Sequence, residues 1–83
     1  MLNSIVFSQH ALDVMKQRGI FEEWIVKTLQ DIEKPIDISE AEQHFFRNIE
    51  EADGRCLKVV FNPATLTVVT AYFDRNARKR GCQ

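Results

Sequence analysis

The sequence is poor in the residues that build special-purpose scaffolds. Its 83 residues include three glycines, two prolines and two cysteines. That composition excludes collagen-like, disordered and disulfide-dense classes and leaves no low-complexity linker. No apolar run approaches the ~18 residues that a spanning helix needs, so no membrane partner is expected. The first ten residues, MLNSIVFSQH, carry no basic segment and only a short apolar stretch. They do not read as a secretory leader, and the expected location is cytoplasmic. There, Cys56 and Cys82 are expected as free thiols. Histidine is scarce too, with His10 and His44 alone and no CxxC or HxxxH spacing. Neither a metal nor another cofactor is therefore expected.

What is present suits one small domain over residues 1–83. Hydrophobic residues are 45% and charged residues 28%. A chain this short buries only ~60–65% of its unfolded surface, enough for one pair of packed layers. The net charge of −1 is unevenly spread. Residues 20–53 hold ten acids against three bases, whereas 74–83 set Asp74 against Arg75, Arg78, Lys79 and Arg80. The first stretch repels polyanions and the second attracts them. The competing reading of 74–83 is a solvated, disordered basic tail.

The pattern along the chain predicts an α+β domain. Ile5-Val6-Phe7 is a short β-prone run. Ser8 then caps a helix over Gln9–Arg18, with Ala11, Leu12 and Met15 on one side and Gly19 as its stop. Phe21, Trp24, Ile25, Thr28, Leu29 and Ile32 form the apolar stripe of a second helix, opened by Glu22 and Glu23 and closed by Pro35. The short connection makes the two a helical hairpin. From residue 43 the period becomes two, which predicts a three-stranded antiparallel meander over 43–51, 55–62 and 66–73.

Its turns suggest a register. A two-residue type I′ loop at Asp53-Gly54 would set Phe46 opposite Phe61. A loop over residues 62–65 would set Phe61 opposite Leu66. One face then carries Phe46, Leu57, Val59, Phe61, Leu66 and Val68 and packs under the helices. The other mixes Phe45, Ile49, Val60, Val69 and Ala71 with Arg47 and Lys58, a composition that calls for a cover or a use. A one-residue slip would exchange the faces.

The segment FSQHALDVMKQRGIFEEWIVKTL, through Phe7, His10, Ala11, Met15, Arg18, Gly19, Ile20 and Glu23, resembles the opening of a small bacterial domain-of-unknown-function family. CLKVVFNPATLTVVTAYF resembles its closing hairpin. That family is grouped with the RelE and BrnT type toxins of toxin–antitoxin modules. The resemblance covers about residues 5–73. It implies a RelE-like fold, an RNA or ribosomal target and, in many members, endoribonuclease activity inhibiting translation, with an antitoxin as protein partner. The chain departs from the pattern in its low isoelectric point, about 6.1.

Metal-independent RNA cleavage needs a base for the 2′-hydroxyl, an acid for the leaving oxygen and cations for the phosphorane charge. The expected catalytic residues are Lys58 and Arg47, as diagonal neighbours on the mixed face, with His10 as an acid or base. Arg75, Arg78 and Arg80 are the expected phosphate or RNA contacts. The competing reading makes Arg47 and Lys58 surface charges and His10 a helix-surface histidine. Arg18 is read chiefly as a partner for helix C-terminal carbonyls. Trp24, Phe21, Phe46 and Phe61 read as core, and Phe73, with Phe45, as a ring buried by a partner or by the C-terminal tail folding back, the competing reading of Phe73 being a stacking platform beside Arg75. The alternative function is a non-enzymatic protein–protein interaction module that presents the mixed face to a partner or to a second copy as a homodimer.

Overall fold

The computed structural model describes residues 5–30 and 36–75. Its elements are β1 (Val6–Phe7), α1 (Gln9–Arg18), α2 (Glu22–Gln30), β2 (Ile36–Ser39), β3 (Glu42–Ile49), β4 (Arg55–Asn62) and β5 (Thr67–Phe73). The fold is α+β, two helices on one mixed sheet of order β1-β5-β4-β3-β2. β1 runs parallel to β5, and every other pair is antiparallel. The expected three-strand sheet is thus too small. β2 is four exposed residues, IDIS, too short to show a period, and pairing with β3 makes it a strand. β1 joins the far edge, held by Val6 N–H to Leu66 O at 2.8 Å and Ser8 N–H to Val68 O at 3.0 Å. No helix among the described residues is long and apolar enough to cross a membrane.

Local signals set the helix ends. The Ser8 hydroxyl accepts from Ala11 N–H at 3.0 Å and donates to Val69 O at 2.8 Å, so one side chain caps α1 and ties it to β5. Gly19 ends α1 at φ 66°, its N–H donating to Met15 O. A Cβ there would meet nothing within 4 Å. Gly19→Ala should therefore cost about 1–2 kcal/mol from left-handed strain alone, read as a lower urea midpoint with an unchanged slope. α2 buries Trp24, Ile25 and Thr28, and the Thr28 hydroxyl donates to Trp24 O at 2.8 Å. Phe21, expected in the core, precedes the helix, is 58% exposed and lays its ring 4.7 Å from that of Trp24. The predicted extension to Ile32 and the Pro35 stop lie outside the described residues. α1 packs on β5 and α2 on β3 and β4.

The hairpin register differs from expectation for a countable reason. Asp53 (φ 58°) and Gly54 (φ 72°) do adopt the left-handed turn conformation. A 3-10 turn over Glu50–Ala52 precedes them, so Ile49, not Ala52, pairs with Arg55. Buried Ala52, Asn48 Nδ2 donating to Gly54 O (2.8 Å) and Gly54 N–H donating to Ile49 O (3.0 Å) hold the longer loop. A three-residue shift is odd, so every β3 side chain changes face. Phe45 and Ile49 join the helix side opposite Val59 and Arg55, and Phe46 moves to the face away from the helices, opposite Lys58.

The second hairpin closes at Asn62↔Thr67, with Asn62 Oδ1 accepting from Ala64 and Thr65 N–H. Leu66, expected in the core, sits in this turn at φ 53° and is 43% exposed. A bulge then shifts the ladder between Phe61↔Val68 and Val60↔Thr70. The extra residue, Val69, turns Ala71 and Phe73 to the helix side opposite Val59 and Leu57. The resulting core joins Ala11, Ile20, Trp24 and Ile25 to Ile49, Leu57, Val59, Phe61, Val68 and Ala71.

Candidate functional site

Where α1 ends, β4 begins and β5 ends, a cleft of about 530 Å³ is lined by Arg18, Arg55, Cys56, Phe73, Asp74 and Arg75. Three separate elements deliver its cations. Arg18 is the last residue of α1, which lies along β5. Arg55 opens β4 directly after the Asp53-Gly54 turn. Arg75 follows the last residues of β5, where Asp74 N–H donates to Cys56 O at 2.8 Å and continues the ladder.

Arg55 is the best anchored of the three. Its Nε donates to Ala52 O at 3.0 Å, and its guanidinium carbon lies 4.0 Å from the centre of the Phe73 ring. Phe73 is itself steadied by Trp24, with ring centres 6.3 Å apart. Phe73 therefore supports an arginine, where the competing reading of the sequence makes it a platform for a base. The longer loop that shifts the β3 register also supplies the Ala52 carbonyl that aims Arg55. Among the described residues, Arg18, Arg55 and Arg75 make no ion pair. The lining thus sets three guanidinium charges against the single carboxylate of Asp74.

One lining residue, Cys56, belongs to the other face of the sheet, away from the helices, and lies two residues from Lys58. Two residues along a strand span about 7 Å. Phe46, Lys58 and Tyr72 form one row across β3, β4 and β5. The Lys58 ammonium stands 5.9 Å from the Phe46 ring centre and 5.3 Å from that of Tyr72, within cation–π range. The next row outward carries His44, Val60 and Thr70, with His44 Nε2 donating to Glu42 Oε2 at 2.6 Å.

Of the residues expected to act together, Arg75 lines the cleft and Lys58 lies on the adjoining face. Arg47 does not share that face. It pairs with Leu57 in the ladder, and so lies on the helix side of the sheet. His10 is exposed in the first turn of α1, eight residues and about 12 Å of helix from Arg18. Arg78 and Arg80 lie outside the described residues. Arg55 and Tyr72 are not among the residues that the sequence marks as site candidates. The one signal for Arg55 was its place beside a turn. Cys56 is disulfide-bonded, which corrects the expectation of free thiols. The other cysteine, Cys82, lies outside the described residues. Among the described residues, no three His, Cys, Asp or Glu side chains gather as a metal site.

These features define a small α+β domain with an arginine-lined cleft where α1, β4 and β5 meet. The chain belongs to the DUF4258 family, a domain of unknown function, whose family profile matches residues 7–73. No curated protein and no solved structure gives a significant match.

Proposed function

We propose that this domain is directed at RNA, as a RelE/BrnT-like toxin or a relative of one. The observation that supports the reading is the convergence of Arg18, Arg55 and Arg75 on one cleft without ion-pair partners among the described residues. Guanidinium groups match phosphate oxygens in charge and in fork geometry. The cleft would hold the backbone, and the Phe46–Lys58–Tyr72 row would lie beneath the adjoining nucleotide. In metal-independent cleavage the 2′-oxygen attacks the neighbouring phosphorus and gives up its proton. The bond to the 5′-oxygen breaks and that oxygen gains a proton. A 2′,3′-cyclic phosphate and a 5′-hydroxyl end remain. Lys58 and Tyr72 are the proton-carrying side chains of the row, and the arginines would offset the charge that builds on phosphorus. Arg47 and His10 lie on other surfaces and take no part in this version of the site.

The test is a cell-free translation reaction with purified protein and mapping of message ends. Inhibition with new, discrete ends is the expected result. Full translation of intact message, with protein above ribosome concentration, would reject the reading. Lys58→Met should lower cleavage by about a hundredfold or more while the urea midpoint stays near wild type. Unchanged cleavage would remove Lys58 from the chemistry.

One observation favours the second reading, a protein-binding module. β2 is the last strand of the sheet, and its Ile36 and Ile38 are each 53% exposed. An exposed apolar edge is a template for an added strand. That reading predicts concentration-dependent association in sedimentation velocity that Ile38→Lys abolishes, with translation untouched.

A further inference from the structure

We infer that the arginine cleft takes a phosphate monoester dianion, the terminal phosphate of an RNA chain or that of a free nucleotide, in preference to an internal phosphodiester. The inference builds on the RNA-directed reading of the same cleft and narrows its ligand.

Charge is the first argument. An internal phosphodiester carries one negative charge and two non-bridging oxygens. A monoester carries about −1.5 to −2 near neutral pH and presents three strong acceptor oxygens. The lining offers three guanidiniums against one carboxylate, a surplus of two positive charges. Three guanidinium forks reach the cleft lining, from α1, β4 and the end of β5, and a group with three acceptor oxygens offers more partners to them than one with two.

The second argument is what the arrangement costs without a ligand. The chain holds 12 acids and 11 lysines and arginines, so composition does not force cations together. Gathering three of them with no ion pair among the described residues is self-repulsive. An anion of matching charge relieves that repulsion. Arg55 is also held before any ligand arrives, by the Ala52 carbonyl and the Phe73 ring. A pre-ordered side chain loses less entropy on binding. The cleft volume, about 530 Å³, exceeds a bare phosphate and lies within the range of small-molecule sites. The sugar and base attached to the phosphate have room.

The experiment uses the full chain and one short single-stranded RNA in three forms: 5′-phosphorylated, 3′-phosphorylated, and with hydroxyls at both ends. Binding is read by fluorescence anisotropy, with adenosine monophosphate and inorganic phosphate as competitors. A phosphorylated end is expected to bind about tenfold or more tightly than the hydroxyl form. Arg55→Gln should erase that difference, and Arg75→Gln, beyond the last strand, should do so without touching the ladder. Urea midpoints of both variants establish folding. Efficient competition by the mononucleotide would identify a free nucleotide as the ligand. Weak competition would identify an RNA end.

Equal binding of all three RNAs without competition by the mononucleotide, or a phosphate preference that survives both substitutions, would overturn the inference. The two readings can fail separately. Cleaved message with no end preference would reject the dianion and keep the RNA target. Mononucleotide binding abolished by Arg55→Gln, with intact message and no RNA preference, would do the reverse.

Discussion

Leu57→Ala should lower the unfolding free energy by about 3–5 kcal/mol. Leu57 is fully buried on β4, with Arg47 and Phe73 as its ladder partners. Removing its side chain leaves a cavity between the sheet and the helices. A domain of this length has a total stability of about 4–12 kcal/mol at 0.05–0.15 per residue, so much of the population would unfold. The single tryptophan reports the event, because Trp24 is 6% exposed in the folded chain and its emission moves to the red when water reaches it. Lys58→Ala is the matched control. It is the next residue on the same strand but on the opposite face. It should cost well under half as much. The reverse order would mean that the faces of β4 are assigned the wrong way round.

The second large effect concerns salt. If Arg18, Arg55 and Arg75 each neutralise a separate backbone phosphate of a single strand, the released counterions should make log K fall against log salt with a slope of about −2. Affinity then drops roughly a hundredfold per tenfold rise in ionic strength. Losing one arginine should reduce the slope by about 0.7. An association through the apolar edge of β2 should hardly respond, since it buries Ile36 and Ile38 instead of pairing charges. A flat salt profile would therefore favour the interaction-module reading even if some RNA binding were seen. The acidic stretch at 20–53 acts against RNA at low salt, which makes any steep profile more telling of a localised basic site.

Features governed by nearest neighbours were legible in the sequence. Ser8 and Gly19 bound α1 because one hydroxyl reaches the first-turn amides and one glycine tolerates positive φ. Trp24, Ile25 and Thr28 fall on the buried side of α2 because a period of 3.6 brings them there. The candidate site was only partly readable. Charge marks out Lys58 and Arg75; Arg75 lines the cleft, and Lys58 lies on the sheet face that also carries Cys56. Arg55 is not legible in the sequence, because what distinguishes it is non-local. Its guanidinium rests on Phe73, eighteen residues away, and on a carbonyl of the preceding loop. The face that Arg47 takes is not legible for the same kind of reason. That face depends on how many residues the loop absorbs.

By itself, then, the sequence determined the α+β class, both helices, and the existence of β3, β4 and β5, since periodicity, caps and turn residues act over a few positions. Tertiary structure alone decided the rest. The Glu50–Ala52 turn took three residues out of the ladder and exchanged the faces of β3. The bulge at Val69 sent Ala71 and Phe73 inward. β1 and β2 became strands only by finding β5 and β3. The physical reason is common to all of these. Register follows from the balance of loop closure, core burial and satisfied backbone groups over the whole sheet, and a shift of one or three residues leaves the local pattern unchanged while it reverses which side chains meet.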